Sequence, residues 1–124
     1  AIQLMRSIYK VMTDNGYPAS FAYAKAVRSI RSIIDDIDEV GVEEYLTRRA
    51  SRTCEFAVRT SGPRVINEDA IQQIFEETEK GIFARNWLNE FNLGMPTLNR
   101  MRRTCADSDM ERTGKLFRDK FGMS

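Results

Sequence analysis

The stretch FAYAKAVRSIRSIIDDIDEVG, from Phe21 to Gly41, decides the fold. Its apolar residues recur at alternating steps of four and three, which is the spacing of one continuous face of an α-helix. Further apolar residues widen that face, and a helix that is apolar over most of its girth is usually buried on several sides. The sequence therefore predicts a helix at the centre of the core. The polar line that remains on this helix consists of Lys25, Ser29, Ser32 and Asp36.

The rest of the chain has the same helical character. An apolar stripe before Asn15-Gly16 predicts a first helix, and residues 43–60 predict one or two more. Ser61-Gly62-Pro63 predicts a break, and Asn67 and Ser108 predict helix N-caps. No stretch alternates with period two over the length of a strand. We therefore expect an all-α fold of about seven helices in one domain, residues 1–124.

Two further apolar patterns are expected in the core. One is the stripe of Ile71, Ile74, Phe75 and Thr78, which follows the Asn67 cap at helical spacing. The other is an aromatic face, Phe83, Trp87 and Phe91, spaced by four. For the aromatic face we prefer a core ridge to a role in stacking on a ligand.

The composition excludes several classes of site. The chain has 124 residues, 19 basic, 18 acidic and no histidine. Without histidine, Ser-His-Asp and Cys-His nucleophiles and histidine-bearing zinc sites are excluded, so a metal would be a hard cation held by oxygens. The balanced charge argues against a nucleic-acid binder, although the cluster Arg48, Arg49 and Arg52 leaves that alternative to test.

The compartment is predicted from cysteine usage and hydropathy. Cys54 and Cys105 do not form a disulfide framework, which favours a reducing, cytoplasmic location. No apolar run approaches the roughly 20 residues that span a bilayer, so we expect no membrane partner. Because the chain begins at Ala1 inside a helical pattern, we expect it to be a piece of a longer protein.

Several spaced motifs resemble the C-terminal half of ketol-acid reductoisomerase. The family shows G-P-R-V-I, then G-x-F-A-x-x-W-x-x-E and G-x-P-x-x-N-x-x-R-R. This chain has GPRVI at 62–66 and GIFARNWLNEFNLGMPTLNRMRR at 81–103. The matching positions of the second stretch are Gly81, Phe83, Ala84, Trp87, Glu90, Gly94, Pro96, Asn99, Arg102 and Arg103. The opening, from Asn15 to Tyr23, also resembles the family's A-G-Y-x-P-x-x-A-Y, with Pro18 one place early.

The resemblance implies a knotted or interlocked helical domain that pairs with a second copy in an intertwined homodimer. It also implies a separate N-terminal Rossmann domain, absent from this chain, that binds NADPH. The family's full-length enzyme uses NADPH and magnesium to convert 2-acetolactate in valine and isoleucine synthesis. We expect this chain alone to bind neither cofactor and to be inactive, since it contains no Gly-rich dinucleotide fingerprint.

The chain departs from the family at the metal site. The central helix of the family carries A-Y-[FY]-E-x-x-x-E, whose two glutamates are metal ligands, and the gapless alignment puts Lys25 and Ser29 at those positions. We therefore expect no metal at this pair. Three interpretations of Lys25 and Ser29 stay open. They are ordinary residues on the polar edge of the helix, or they belong to a former metal-binding surface that now binds an anion or packs in a subunit contact. In the third interpretation they form a functional site in which the lysine supplies the positive charge of the metal.

A second family segment, S-[DN]-T-A-E-Y-G, corresponds to residues 51–57. By resemblance Ser51 contacts the substrate and Glu55 belongs to the binding site, while Arg52 and Ala57 depart from the pattern. The alternative for Ser51 is a helix-capping or packing serine. The resemblance therefore predicts either a C-terminal domain of a ketol-acid reductoisomerase or a non-catalytic paralogue that keeps the interlocked dimer.

Overall fold

The computed structural model describes residues 1–121, with Phe121 described by its backbone alone, so residues 122–124 of the predicted domain lie outside it. Within this range helices predominate and no strand occurs, which confirms the all-α class. Eight helical stretches occur within this range, close to the predicted seven, and residues 43–60 form two of them, which divide at Ala50 and Ser51. They are α1 (Ile2–Asp14), α2 (Ala19–Tyr23, Ala24–Arg28 and Ile30–Val40), α3 (Val42–Glu44 and Tyr45–Arg49), α4 (Arg52–Val65), α5 (Glu68–Glu79), α6 (Ile82–Asn92), α7 (Pro96–Ala106) and α8 (Asp109–Phe121).

The predicted helix boundaries agree with the structure at several caps. The side chain of Asn67 accepts a hydrogen bond from the Ala70 amide at 3.2 Å. The hydroxyl of Ser108 accepts one from the Glu111 amide at 3.4 Å. Each side chain satisfies an amide of the first helical turn, which has no partner within the helix.

The predicted break at Ser61-Gly62-Pro63 is wrong. Helix α4 continues through Pro63 and ends at Val65. The proline ring holds φ near a helical value, and its main costs are a missing N–H and crowding of the preceding turn. Because Pro63 lies in the exposed last turn of α4, the helix accommodates it and stops two residues later.

The chain divides into two compact units. Unit one comprises residues 1–41 together with the described residues from 102 onward, and unit two comprises residues 42–101. The core of unit one lies where α1, the start of α2 and α8 meet. Its buried side chains are Tyr9, Ala22, Tyr23 and Ala26, and the partly buried side chains packed on them include Met12, Met110 and Phe117.

Only the first half of the central helix is buried, contrary to prediction. Ala24–Arg28 is a π-helical segment, in which the Ser29 amide bonds the Ala24 carbonyl five residues back at 2.9 Å. A π-turn adds one residue to the turn, so it rotates the following residues by about 100° relative to a continuous α-helix. Segment Ile30–Val40 consequently has no buried residue, and Ile34 is 57% exposed.

Unit two leaves most of its apolar side chains uncovered. Its buried apolar residue among those described is Leu46 on α3. The predicted core stripe of α5 and the aromatic face of α6 are both exposed, so these two predictions are wrong for the chain by itself. The exposed residues include Ile71, Ile74, Phe75, Phe83, Trp87 and Phe91.

Candidate functional site

Lys25 and Ser29 lie together on the π-helical segment of α2 in unit one. Both side chains are exposed. The Lys25 ammonium lies 5.6 Å from the centroid of the Phe21 ring, within the range of a cation–π contact. The Ser29 hydroxyl donates to the Lys25 carbonyl at 2.8 Å. Irregular helical turns of this kind are frequent at functional sites, and here the turn coincides with the two altered positions.

These two residues do not fit a divalent cation. An ammonium has three N–H donors and no acceptor, and its positive charge repels a metal ion. Magnesium requires oxygen ligands, usually carboxylates, and the one side-chain oxygen here belongs to a neutral hydroxyl that donates its proton to the backbone. Throughout the part of the chain that the structure describes, no group of three or more cysteine, aspartate or glutamate residues could hold a metal ion.

Ser51 and Glu55 lie at the start of α4 in unit two. Ser51 is the N-cap, and its hydroxyl accepts a hydrogen bond from the Cys54 amide at 3.1 Å. The structure therefore gives Ser51 the capping role that was the alternative interpretation, and substrate contact stays a prediction. One turn later, the side chain of Glu55 is 18% exposed.

Two arginines donate hydrogen bonds to the Glu55 carboxylate. Arg52 Nη1 donates to its Oε1 and Arg59 Nε donates to its Oε2, each at 3.1 Å. Arg59 also binds Glu43 at 2.6 Å, and this contact holds the pKa of the Glu43 carboxyl below its usual range. Since both oxygens of Glu55 already accept hydrogen bonds from arginine, a ligand at Glu55 would have to displace one of them.

Two arginines of the predicted cluster form ion pairs with carboxylates. Arg48 lies 3.8 Å from Glu44, and Arg52 lies 3.1 Å from Glu55. Charge that is neutralised locally contributes little to phosphate binding. This pairing favours a solvated helix face, and the absence of a nucleic-acid partner stays a prediction.

The motif residues Glu90 and Asn99 stabilise the Gly94-Met95-Pro96 turn between α6 and α7. The Asn99 side-chain amide donates to the Gly94 carbonyl at 3.4 Å. The Glu90 carboxylate accepts a hydrogen bond from the Leu98 amide at 2.7 Å, in the first turn of α7. The Met95 amide donates to the Glu90 carbonyl at 2.9 Å, and Met95 has a positive φ of 59°. An acidic side chain at a helix N-terminus satisfies orphan amides and complements the helix dipole.

The sequence analysis missed a buried polar cluster in unit one. The Tyr9 hydroxyl donates to Asp109 at 2.6 Å and lies 2.9 Å from the Thr113 hydroxyl. Burial and the contact with Asp109 raise the pKa of Tyr9 above its ordinary value. Tyr9 also lines a cavity of about 460 Å³ between α1 and the α7–α8 region. The sequence indicates only that Tyr9 lies on the apolar face of α1, because Met5, Tyr9 and Met12 share the helical spacing of four and three.

Three comparisons relate the chain to known proteins. A family model described as the C-terminal domain of ketol-acid reductoisomerase matches residues 1–122. Ketol-acid reductoisomerase (NADP(+)) of Leuconostoc mesenteroides subsp. cremoris is 31% identical over 119 residues, which are 94% of this chain and 34% of that protein. The enzyme of the same name from Sulfurisphaera tokodaii is 32% identical over 120 residues, 94% of this chain and 36% of that protein.

A solved structure has the same fold. It is an NADH-preferring ketol-acid reductoisomerase from an uncultured archaeon, and it matches with a TM-score of 0.91 and 26% identity over 95% of this chain. The match covers 36% of that protein. The chain therefore spans about a third of the length of each of these relatives. Within residues 1–121, no helix has the length and hydropathy needed to cross a membrane.

Proposed function

Because the chain belongs to the ketol-acid reductoisomerase C-terminal domain family, we propose that it is the helical part of a longer enzyme of that kind. In that role it supplies a subunit interface and one wall of the active site. The observation that carries the proposal is the agreement of the fold over nearly the whole chain, with a TM-score of 0.91. The reaction is the conversion of 2-acetolactate to 2,3-dihydroxy-isovalerate, in the cytoplasm, as part of valine and isoleucine synthesis.

The proposed division of labour places the reduction outside this chain. The relatives named above are an NADP(+) enzyme in two organisms and an NADH-preferring enzyme in a third. This chain contains no Gly-rich dinucleotide fingerprint, and it spans about a third of each of them. We therefore expect the nicotinamide cofactor to bind to a separate Rossmann domain.

An activity assay tests this division. The 124-residue chain, mixed with NADPH, magnesium and 2-acetolactate, is expected to oxidise no NADPH above the rate without protein. The protein isolated from its native source is expected to oxidise NADPH only when 2-acetolactate is present. Turnover by the 124-residue chain alone would contradict the division.

A non-catalytic paralogue is the second candidate, and the pair Lys25 and Ser29 favours it. Neither residue can replace a carboxylate ligand of magnesium. A protein with Lys25 and Ser29 at these positions could therefore keep the subunit interface and lose the conversion of 2-acetolactate. Substrate-dependent turnover by the unmodified native protein would contradict this alternative. Absence of turnover, with activity gained in the Lys25→Glu, Ser29→Glu double variant, would favour it.

We also propose that the chain forms a homodimer, because unit two by itself leaves large apolar side chains uncovered, among them Phe83, Trp87 and Phe91. Contiguous exposed apolar side chains mark surfaces that bind another protein. Sedimentation is expected to give a dimer at micromolar concentration, and a stable monomer would contradict this proposal.

A further inference from the structure

The cavity beside Tyr9, between α1 and the α7–α8 region, lies entirely within unit one. It encloses about 460 Å³, and the described residues that line it all belong to that unit. Tyr9 and Met110 contribute apolar surface, and the other lining residues are polar or charged. Sites for small molecules typically enclose about 300–1000 Å³ and combine apolar walls with a few polar groups that fix the orientation of the ligand. This cavity, which we call the α1–α8 cavity, has that size and composition.

Four charged side chains of the described residues line the α1–α8 cavity, and two of them neutralise each other. Lys10 Nζ lies 2.6 Å from Asp14 Oδ2, one turn later on α1. Arg6 differs from Lys10, because its guanidinium forms no ion pair or hydrogen bond with any residue that the structure describes. The fourth charged residue is Asp109, at the start of α8. The charges left for a ligand are therefore one guanidinium and one carboxylate.

The Asp109 carboxylate is held in place and can still accept hydrogen bonds. Its Oδ2 accepts one from the hydroxyl of the buried Tyr9 at 2.6 Å, and its Oδ1 lies 3.5 Å from Arg112 Nη2. The side chain of Asp109 is nevertheless 63% exposed. An ionised carboxylate has about four acceptor positions, so these two contacts leave some of them for a donor on a ligand.

We propose that the α1–α8 cavity binds a free α-amino acid with an apolar side chain. Its carboxylate pairs with the Arg6 guanidinium, whose planar N–H groups suit a two-oxygen acceptor. Its ammonium donates to Asp109, and its side chain packs on the Tyr9 ring and Met110. None of these contacts involves the residues that the family resemblance singled out, so the site is independent of the proposed reaction.

Three ligands with the same carbon branching separate the two charge contacts. L-Leucine carries both charges, 4-methylpentanoate lacks the ammonium, and 3-methylbutylamine lacks the carboxylate. Each is titrated into the isotope-labelled full chain while amide chemical shifts are recorded. We expect L-leucine to give saturable shifts at residues 6–14 and 104–110, with a dissociation constant of about 0.1–10 mM, ordinary for a molecule of its size. Each analogue should bind at least about tenfold more weakly, because it leaves one charged group of the cavity without a partner.

Variants then assign the two contacts to residues. Arg6→Gln should weaken L-leucine binding about tenfold or more. Arg31→Gln is the matched control, because Arg31 is an exposed arginine of unit one that does not line the cavity, and its effect should stay below about threefold. Asp109→Asn keeps an oxygen that accepts from Tyr9 and removes the negative charge. It should weaken L-leucine about tenfold and change 4-methylpentanoate by less than about threefold, a difference that a general loss of structure would not produce.

Several outcomes would overturn the inference. One is the absence of saturable shifts with all three ligands, and another is saturable shifts that lie outside residues 6–14 and 104–110. Binding of 4-methylpentanoate or 3-methylbutylamine as tight as that of L-leucine would show that the site does not recognise a zwitterion. Equal losses of affinity in Arg6→Gln and Arg31→Gln would show that Arg6 does not contact the ligand.

Discussion

Tyr9 shows how a single side chain ties two helices together at the residue scale. Its ring is buried in the core of unit one, and its hydroxyl bonds Asp109 and Thr113 on α8. A hydrogen bond to a charged acceptor contributes about 1.5–3 kcal/mol, roughly twice a neutral one. The α1–α8 contact therefore depends on a protonated phenol.

We expect Tyr9→Phe to lower the free energy of unfolding by about 1–3 kcal/mol, since the ring is kept and the hydrogen bonds are lost. The pKa of Tyr9 is raised in the folded protein by burial and by Asp109, so its stabilising effect is complete below the unfolded pKa, about 10. It is then lost as the pH rises through the folded pKa. Denaturant unfolding measures the free energy of unfolding of the unmodified protein and of Tyr9→Phe at pH 8 and near pH 11. The difference between the two proteins should be smaller near pH 11. A difference that does not change with pH would contradict the stabilising role of the protonated Tyr9 hydroxyl.

Measurements of metal affinity test whether Lys25 and Ser29 prevent a divalent cation from binding. We expect Mn²⁺ to cause no selective broadening of the amide signals of residues 24–30 in the unmodified chain, because the ammonium repels the ion. The Lys25→Glu, Ser29→Glu double variant should bind Mn²⁺ at least about tenfold more tightly, since it provides two carboxylates in place of an ammonium and a hydroxyl.

A matched control places the same change elsewhere. Arg85→Glu with Asn89→Glu also creates two glutamates one turn apart, at exposed positions of α6. It should broaden signals only around its own site. Selective broadening at residues 24–30 in the unmodified chain would show that the segment containing Lys25 and Ser29 still binds a metal ion.

At this scale, motif positions in the sequence identified candidate residues but not their contacts. The candidates are Lys25, Ser29, Ser51 and Glu55, and their functional roles stay predictions. The sequence could not show that Arg52 and Arg59 occupy the Glu55 carboxylate, because that depends on which rotamers meet across helical turns. Tyr9 was missed because a phenol on an apolar stripe gives no sign of its partner 100 residues away.

Helical glycines provide the clearest test at the scale of elements. Gly114 lies on α8, where an added Cβ would come within 2.7 Å of the Tyr23 hydroxyl oxygen and within 2.9 Å of its ring. The Tyr23 ring packs on Phe117 at 5.4 Å, so it has little room to move. We expect Gly114→Ala to destabilise unit one, because overpacking costs about 1–3 kcal/mol and exceeds the gain of about 1 kcal/mol in helix propensity.

Gly62→Ala is the matched control on α4. An added Cβ there meets no atom within 4 Å outside the two neighbouring residues, and the backbone is helical. Because Gly62 precedes Pro63, the proline Cδ crowds a Cβ at this helical position, and this cost offsets the gain in helix propensity. We expect the free energy of unfolding to change by less than about 1 kcal/mol. Thermal unfolding of both variants compares the two effects, and stabilisation by Gly114→Ala would contradict the close contact of α8 with Tyr23.

The elements also show where sequence periodicity fails. Helix caps were predictable because Asn67 and Ser108 act on amides two or three residues away. The π-segment at Ala24–Arg28 was not, since its residues have ordinary helix propensities and its extra residue appears only in the hydrogen-bond pattern. Extrapolating one apolar face across it wrongly placed Ile30–Val40 in the core.

At the scale of the whole molecule, the mistaken core predictions for α5 and α6 share one cause. The apolar periodicity of these two helices was identified correctly, but the surface that covers their apolar faces is not supplied within the described chain. Apolar periodicity predicts that a face will be buried and does not say against what. The proposed second copy, together with the rest of the proposed longer protein, would cover these faces.

The most direct test of the account is the intact mass of the protein from its native source. Since this chain spans 34% of the Leuconostoc relative, we expect a mass about three times 14.3 kDa, with the cofactor domain included. A mass of 14.3 kDa would contradict the proposed enzyme, because the chain would then act without a cofactor domain.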